Sequence, residues 1–266
     1  FGEYVGTYAY PFNVSIEPGF YKAVLYQKAA DGGKVEMDRT NLGFNPEQII
    51  SSQDKQPDFD AFWSETLAEL AEVEIDSKLT LLKEHSNDVR KAYRVDMKSL
   101  GGEPVSGLLY VPVADGKYPA MISYMGYGSE VWYADPSSNP QMIEFMLCVR
   151  NQAFNRKPGE ENDWCARGIE SKETYYYRGA FADAVRAIDF VCSLEKTDLD
   201  RVFAAGESQG GALTLAAASL DGRLKAIAPS APFLCDYPDY FVLAGWPGDP
   251  IEAAAKKAGM SEEEMF

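Results

Sequence analysis

Histidine is almost missing from this chain of 266 residues, which holds one, His85. Cysteine is scarce too. Cys148, Cys165, Cys192 and Cys235 form no C-x-x-C pair and no metal-type spacing, so no zinc or iron–sulfur motif can be read. Three of them lie in apolar segments and are expected to be small core residues. No apolar run is long enough to cross a bilayer, so no transmembrane helix is expected. Positive charge is also short: 25 Lys and Arg stand against 41 Asp and Glu, a net charge of −16. That balance argues against nucleic acid and membrane surfaces as partners, since both reward a basic patch. No secretion signal, internal repeat or low-complexity run is visible, although the chain opens at Phe1 without Met, as after removal of a leader or an earlier domain.

What is present is a globular composition, 46 % hydrophobic, in a length that suits one α/β domain plus a smaller piece. From Val14 to Phe44 the pattern predicts β structure, with two strands around a turn at Asp31-Gly32-Gly33. Two strands cannot bury a core alone, so residues 1–45 are expected to be part of a β-rich accessory domain, with a polar linker over 46–57. An amphipathic helix then follows, with Phe59, Phe62, Trp63, Leu67 and Leu70 on one face. Strands are expected at 79–85, 92–98 and 105–112, with a turn at Gly101-Gly102, and compact apolar strands at 118–125 and 143–149. A helix over 174–194, a strand over 201–206, a helix over 209–220 and a strand over 224–228 complete the pattern. Strands alternating with helices predict a mostly parallel, doubly wound sheet across 58–266.

The stretch "RVFAAGESQGGALTLAAAS" places Gly206-Glu207-Ser208-Gln209-Gly210 between a strand and a helix and fits G-x-S-x-G. A serine hydroxyl is a weak nucleophile until a base takes its proton. A strand-to-helix elbow forces that side chain outward, and the flanking glycines give room for the turn. The helix beginning at Gln209 aims its N-terminal N–H groups at the charge that develops during acyl transfer. A second N–H is expected from the loop after an earlier central strand, where "ISYMGYGSE" offers Tyr127.

The segments "YMGYGSE", "WCARGIESKETYYYRGAFADAVRAIDFV", "GESQGGALTLAAAS" and "APFLCDYPD", in that order and spacing, resemble the acetyl xylan esterase / cephalosporin C deacetylase family, carbohydrate esterase family 7. The resemblance runs from about Asp58 to Phe266. It implies an α/β-hydrolase fold, removal of acetyl groups from acetylated xylo-oligosaccharides and cephalosporin C, no cofactor, and a homo-oligomer. Carried over by position, it implies Ser208 as nucleophile, the backbone N–H groups of Gln209 and Tyr127 as the oxyanion hole, and Pro247, in "GWPGD", in a small acyl pocket. The family's Arg-Gly-Gln motif stands here as Arg150-Asn151-Gln152. Asn tolerates the left-handed backbone best after Gly, so the local structure is expected to survive, in a surface loop outside the chemistry. A carbohydrate esterase with an N-terminal β segment would suit export from the cytoplasm. A dienelactone-type hydrolase, a prolyl-oligopeptidase-like peptidase and a non-catalytic carbohydrate-binding module remain alternatives.

The base is the difficulty. In this fold the acid and histidine follow the serine along the chain. After Ser208 only one more strand is expected, and Asp236, Asp239 and Asp249 come too early for the acid. His85 reads as an exposed turn histidine far from the elbow. Near the chain end, Ser261 and Glu264 form a capping box, and the chain stops about one turn into the helix it would open. The expectation is a fragment of a longer esterase whose acid and base lie beyond Phe266.

Overall fold

The computed structural model describes residues 15–50, 55–233, 235–237, 240–241, 245–261 and 264. Val14 and Asp239 lie outside these. The chain divides into two compact units, Phe1–Pro57 and Asp58–Phe266.

In the first unit, β1 (Gly19–Lys28) and β2 (Lys34–Phe44) pair antiparallel, with Gly19 opposite Phe44. The reversal uses the expected residues: Gly32 takes φ 86°, and the Gly33 N–H donates to the Asp31 carboxylate at 2.9 Å. Gly adopts that left-handed backbone without the Cβ penalty.

Among the described residues the second unit forms a seven-stranded sheet with helices. Its elements are α1 (Phe59–Ala71), β3 (Lys78–Leu81), β4 (Arg90–Lys98), β5 (Pro104–Pro112), β6 (Tyr118–Tyr124), β7 (Ile143–Cys148), α2 (Tyr176–Ser193), β8 (Thr197–Glu207), α3 (Gln209–Leu220), β9 (Ala226–Ser230) and α4 (Gly245–Ala258). The strand order is β3-β4-β5-β7-β6-β8-β9. β6, β7, β8 and β9 are parallel neighbours, and β3, β4 and β5 join them through antiparallel pairings. The sheet is therefore parallel where the helices cross over, between β7 and β9, and antiparallel toward β3.

The apolar strands earn their central places by burial. Ile122, Ile143, Phe145, Leu147 and Val202 are fully buried and join one cluster with Ala184, Ile188 and Val191 of α2. Helix α2 is covered almost all round, because α1 packs on it from outside. Its arginines hold α1 in place. Arg178 donates to Thr66 Oγ1 at 3.0 Å and pairs with Glu69 at 2.8 Å, and Arg186 donates to the Leu70 and Val73 carbonyls at 2.5 and 2.9 Å. Leu70 is in the last turn of α1 and Val73 lies just past its end, so Arg186 ties down the chain where the helix stops.

Three expected strands differ in extent, and of these β8 begins four residues early, at Thr197. The first stops at Leu81, because Lys83–His85 forms a single 3-10 turn in which Ser86 Oγ donates to the Leu82 carbonyl at 2.7 Å. The last begins at Ala226, two residues late, since the Arg223 N–H folds back to the Asp221 carboxylate at 2.9 Å and makes a turn first. Ser230 thereby becomes the end of β9 and pairs with Glu207. The cysteines are all free: Cys148 and Cys165 are buried, Cys192 is half-buried and Cys235 is exposed. The capping box closes as expected, with Glu264 accepting from the Ser261 N–H at 2.8 Å and its own N–H donating to Ser261 Oγ at 3.3 Å.

Candidate active site

The chain runs from β6 to β7 on one side, then returns to β8 on the other. Strand order thus reverses at β6, and open α/β sheets carry their sites at the carboxyl ends of strands at such a reversal. A cavity of about 700 Å³ opens there. It is lined by the ends of β6 and β8, by the 126–132 loop, and by Ala228, Ser230 and Trp246.

Ser208 sits in this cavity as the residue between β8 and α3, at φ 58° and ψ −118°. A non-glycine residue rarely holds that backbone, and the surroundings enforce it. The Ser208 N–H donates to the Ser230 carbonyl at 3.0 Å, and its carbonyl accepts from the Phe233 N–H at 3.3 Å. The flanking glycines are sterically required. A Cβ on Gly206 would lie 2.4 Å from the Gly210 carbonyl oxygen, and one on Gly210 would lie 2.1 Å from the Tyr124 oxygen.

Gln209 opens α3, so its backbone N–H has no carbonyl four residues back to bond. Its side chain is fully buried beneath the elbow. Tyr127 lies in the loop after β6 and lines the same cavity. Its hydroxyl donates to the Asn162 carbonyl at 2.8 Å and accepts from the Cys165 N–H at 3.2 Å. Burial pushes this phenol well above its ordinary range, so it stays neutral. The ring rests against Trp164, Trp246 and Phe233. Tyr127 is therefore anchored at its far end, which fixes the backbone that faces the cavity.

Pro247 is buried but does not line the cavity; its neighbour Trp246 does, stacked on Phe233 with ring centroids 5.4 Å apart. His85 is half-buried rather than exposed. Its ring lies flat on Tyr133 at 3.7 Å, so it packs against the loop after β6 without entering the cavity. The aromatic partner explains the burial, and nothing adjacent to His85 in the chain announces it.

Arg150-Asn151-Gln152 departs furthest from its expected place on the surface. Asn151 does adopt the left-handed backbone, at φ 62°. However, Gln152 is only 3 % exposed, and it joins both walls of the site. Its Oε1 accepts from the Gly128 N–H at 3.0 Å, next to Tyr127. Its amide faces that of Gln209 in a reciprocal pair, with Nε2 to Oε1 distances of 3.0 and 3.2 Å. Gln152 Nε2 also donates to the Tyr176 hydroxyl at 2.9 Å, while Tyr177 donates to Gln209 Oε1 at 2.9 Å. The Tyr176 hydroxyl in turn donates to the Arg150 carbonyl at 2.6 Å. Arg150 forms a charged fork with fully buried Asp183, donating from Nε at 2.9 Å and from Nη2 at 2.7 Å. The tyrosines of "TYYYR" thus reach the elbow through two glutamines.

A sheet of this order, with a strained serine elbow at the reversal, defines an α/β hydrolase. The acetyl xylan esterase (AXE1) family pattern matches residues 47–246, and the chain belongs to that family of ester hydrolases. It is 28 % identical over 242 residues to the acetyl esterase Axe7A of Xylanibacter ruminicola, a match covering 84 % of this chain and 53 % of that protein. The chain therefore spans about half the length of this curated relative. Among solved structures it resembles an acetyl xylan esterase from Paenibacillus sp. R4, with TM-score 0.72 and 28 % identity over 81 % of this chain and 73 % of that one. It also resembles acetyl xylan esterase 1 from Thermoanaerobacterium sp. JW/SL YS485, with TM-score 0.64 and 26 % identity over 70 % of this chain and 62 % of that one.

Proposed function

We propose that the protein is a serine esterase removing acetyl groups from small acetylated carbohydrates such as xylo-oligosaccharides. The observation that carries this reading is the strained Ser208 in a cavity whose facing loop presents Tyr127. Ser208 Oγ attacks the acetyl carbonyl. The oxyanion of the tetrahedral intermediate accepts from the Gln209 and Tyr127 N–H groups. The sugar hydroxyl leaves with a proton, and water then releases acetate from acetyl-Ser208.

Among the described residues no histidine lines the cavity; the reading requires a histidine and an acid to carry the proton transfers. The test is hydrolysis of p-nitrophenyl acetate, and acetate release from acetylated xylo-oligosaccharides, by the natural gene product and its Ser208→Ala variant. The reading expects turnover that the alanine abolishes. Turnover unaffected by the substitution would overturn it.

A further inference from the structure

The cavity around Ser208 carries one charged residue among those that line it, Glu207. It is the second residue of the elbow, exposed, and adjacent to the serine. Among the described residues no hydrogen bond or ion pair engages its carboxylate. The other lining side chains are serines, small residues and the aromatic rings of Tyr124, Tyr127, Trp132 and Trp246. No lysine or arginine among the lining residues offsets the charge. Glu130, in the loop after β6, does not line the cavity and faces Arg156 at 4.0 Å.

We propose that Glu207 makes this site discriminate against acetyl esters whose leaving group is anionic, so that its substrates are neutral acetylated glycosides rather than acetylated uronates or cephalosporin-type carboxylates. The inference rests on Ser208 being the nucleophile. The physics is a like-charge repulsion across an open cavity, which salt screens. The reacting acetyl group is common to all such substrates, so the penalty falls on the alcohol side and appears in kcat/KM as a ratio between charged and neutral esters. The same carboxylate favours a cationic leaving group, and it repels the acetate product.

The test compares aryl acetates that share an acetyl group and differ in charge: 4-acetoxybenzoate, its methyl ester, and 4-(trimethylammonio)phenyl acetate. Glu207→Gln removes the charge with little change of shape, and Glu207→Lys reverses it. In the natural gene product at low salt, Glu207→Gln should raise the anion-to-neutral ratio of kcat/KM by about three- to tenfold, and Glu207→Lys should raise it further. The cation-to-neutral ratio should fall in parallel, and about 0.5 M NaCl should compress all three differences. Ratios unchanged within twofold in both variants, with serine-dependent turnover of the neutral ester intact, would overturn the charge filter alone. Loss of serine dependence for the neutral ester would overturn the esterase reading and this inference with it.

Discussion

Replacing Gln152 with leucine tests whether the amide link under the elbow holds the site. Leucine fills similar space and makes no hydrogen bond. The Gly128 N–H then loses the acceptor it has at 3.0 Å. Gln209 loses both bonds to Gln152 but keeps the Met125 carbonyl at 3.3 Å and the Tyr177 hydroxyl at 2.9 Å. Tyr176 loses an incoming donor but still donates to the Arg150 carbonyl at 2.6 Å. One orphaned backbone donor in a half-buried place costs about 1–2 kcal/mol, and the weakened amide of Gln209 about 1 kcal/mol more. For a domain of this size, a total of about 2–3 kcal/mol lowers Tm by about 4–12 °C. The kinetic signature is separate. Gln152 touches the residue beside Tyr127 and the residue after Ser208, so its loss lets the two proposed oxyanion donors drift apart. An interaction that matters in the transition state lowers kcat, here by about tenfold or more, with KM moving by less than about threefold. Thermal melts and p-nitrophenyl acetate kinetics read the two effects. A Tm shift below about 1 °C would refute the hydrogen-bond accounting. A kcat that stays put while Tm falls would refute the coupling to the donors.

Gly210→Ala should abolish the native elbow, because the added Cβ meets the Tyr124 carbonyl oxygen at 2.1 Å; expression as insoluble protein, or loss of serine-dependent turnover, checks it. Burial raises the hydroxyls of Tyr124, Tyr175, Tyr176 and Tyr177 above their ordinary range, and pushes the Cys148 thiol up to about 12. In the unfolded chain these groups lose protons first, so the folded state binds more protons and stability falls as pH rises above about 9. Urea midpoints should therefore drop between about pH 8 and 10.5, with the tyrosinate absorbance of these residues appearing together with unfolding. Under native conditions at pH 8, exposed Cys235 should react with a thiol reagent well before buried Cys148 and Cys165, and equal rates would contradict their burial.

Much of the second unit could be read from local pattern. Apolar runs such as "YPAMISYM" have the periodicity of buried strands, and β6 lies where that run predicts it. The elbow was legible because its requirement is steric and local: two glycines at fixed distances from one serine. Gln152 was illegible for the opposite reason. An Arg-Asn-Gln run reads as polar surface, and its burial depends on partners 24 and 57 residues away in the chain, Gly128 and Gln209. Two amides that satisfy each other carry no hydropathy signal. His85 shows the same limit, since its burial comes from stacking on Tyr133. Pro247 and Trp246 are neighbours in sequence, yet only the tryptophan meets the cavity, a difference decided by the backbone at a kink rather than by composition.

The backbone of Ser208 is held on both sides by the chain leaving β9, through the Ser230 carbonyl and the Phe233 N–H. Among the described residues β9 has a strand on one side only; it is five residues long, with alternate residues exposed. Outer strands open at lower free energy than central ones. Ser208 is thus tethered to the last strand of the described sheet, and the elbow is as rigid as that strand is. Amide hydrogen exchange at Ser208 becomes a gauge of β9: whatever stiffens the strand slows exchange at Ser208, and whatever frays it loosens the elbow.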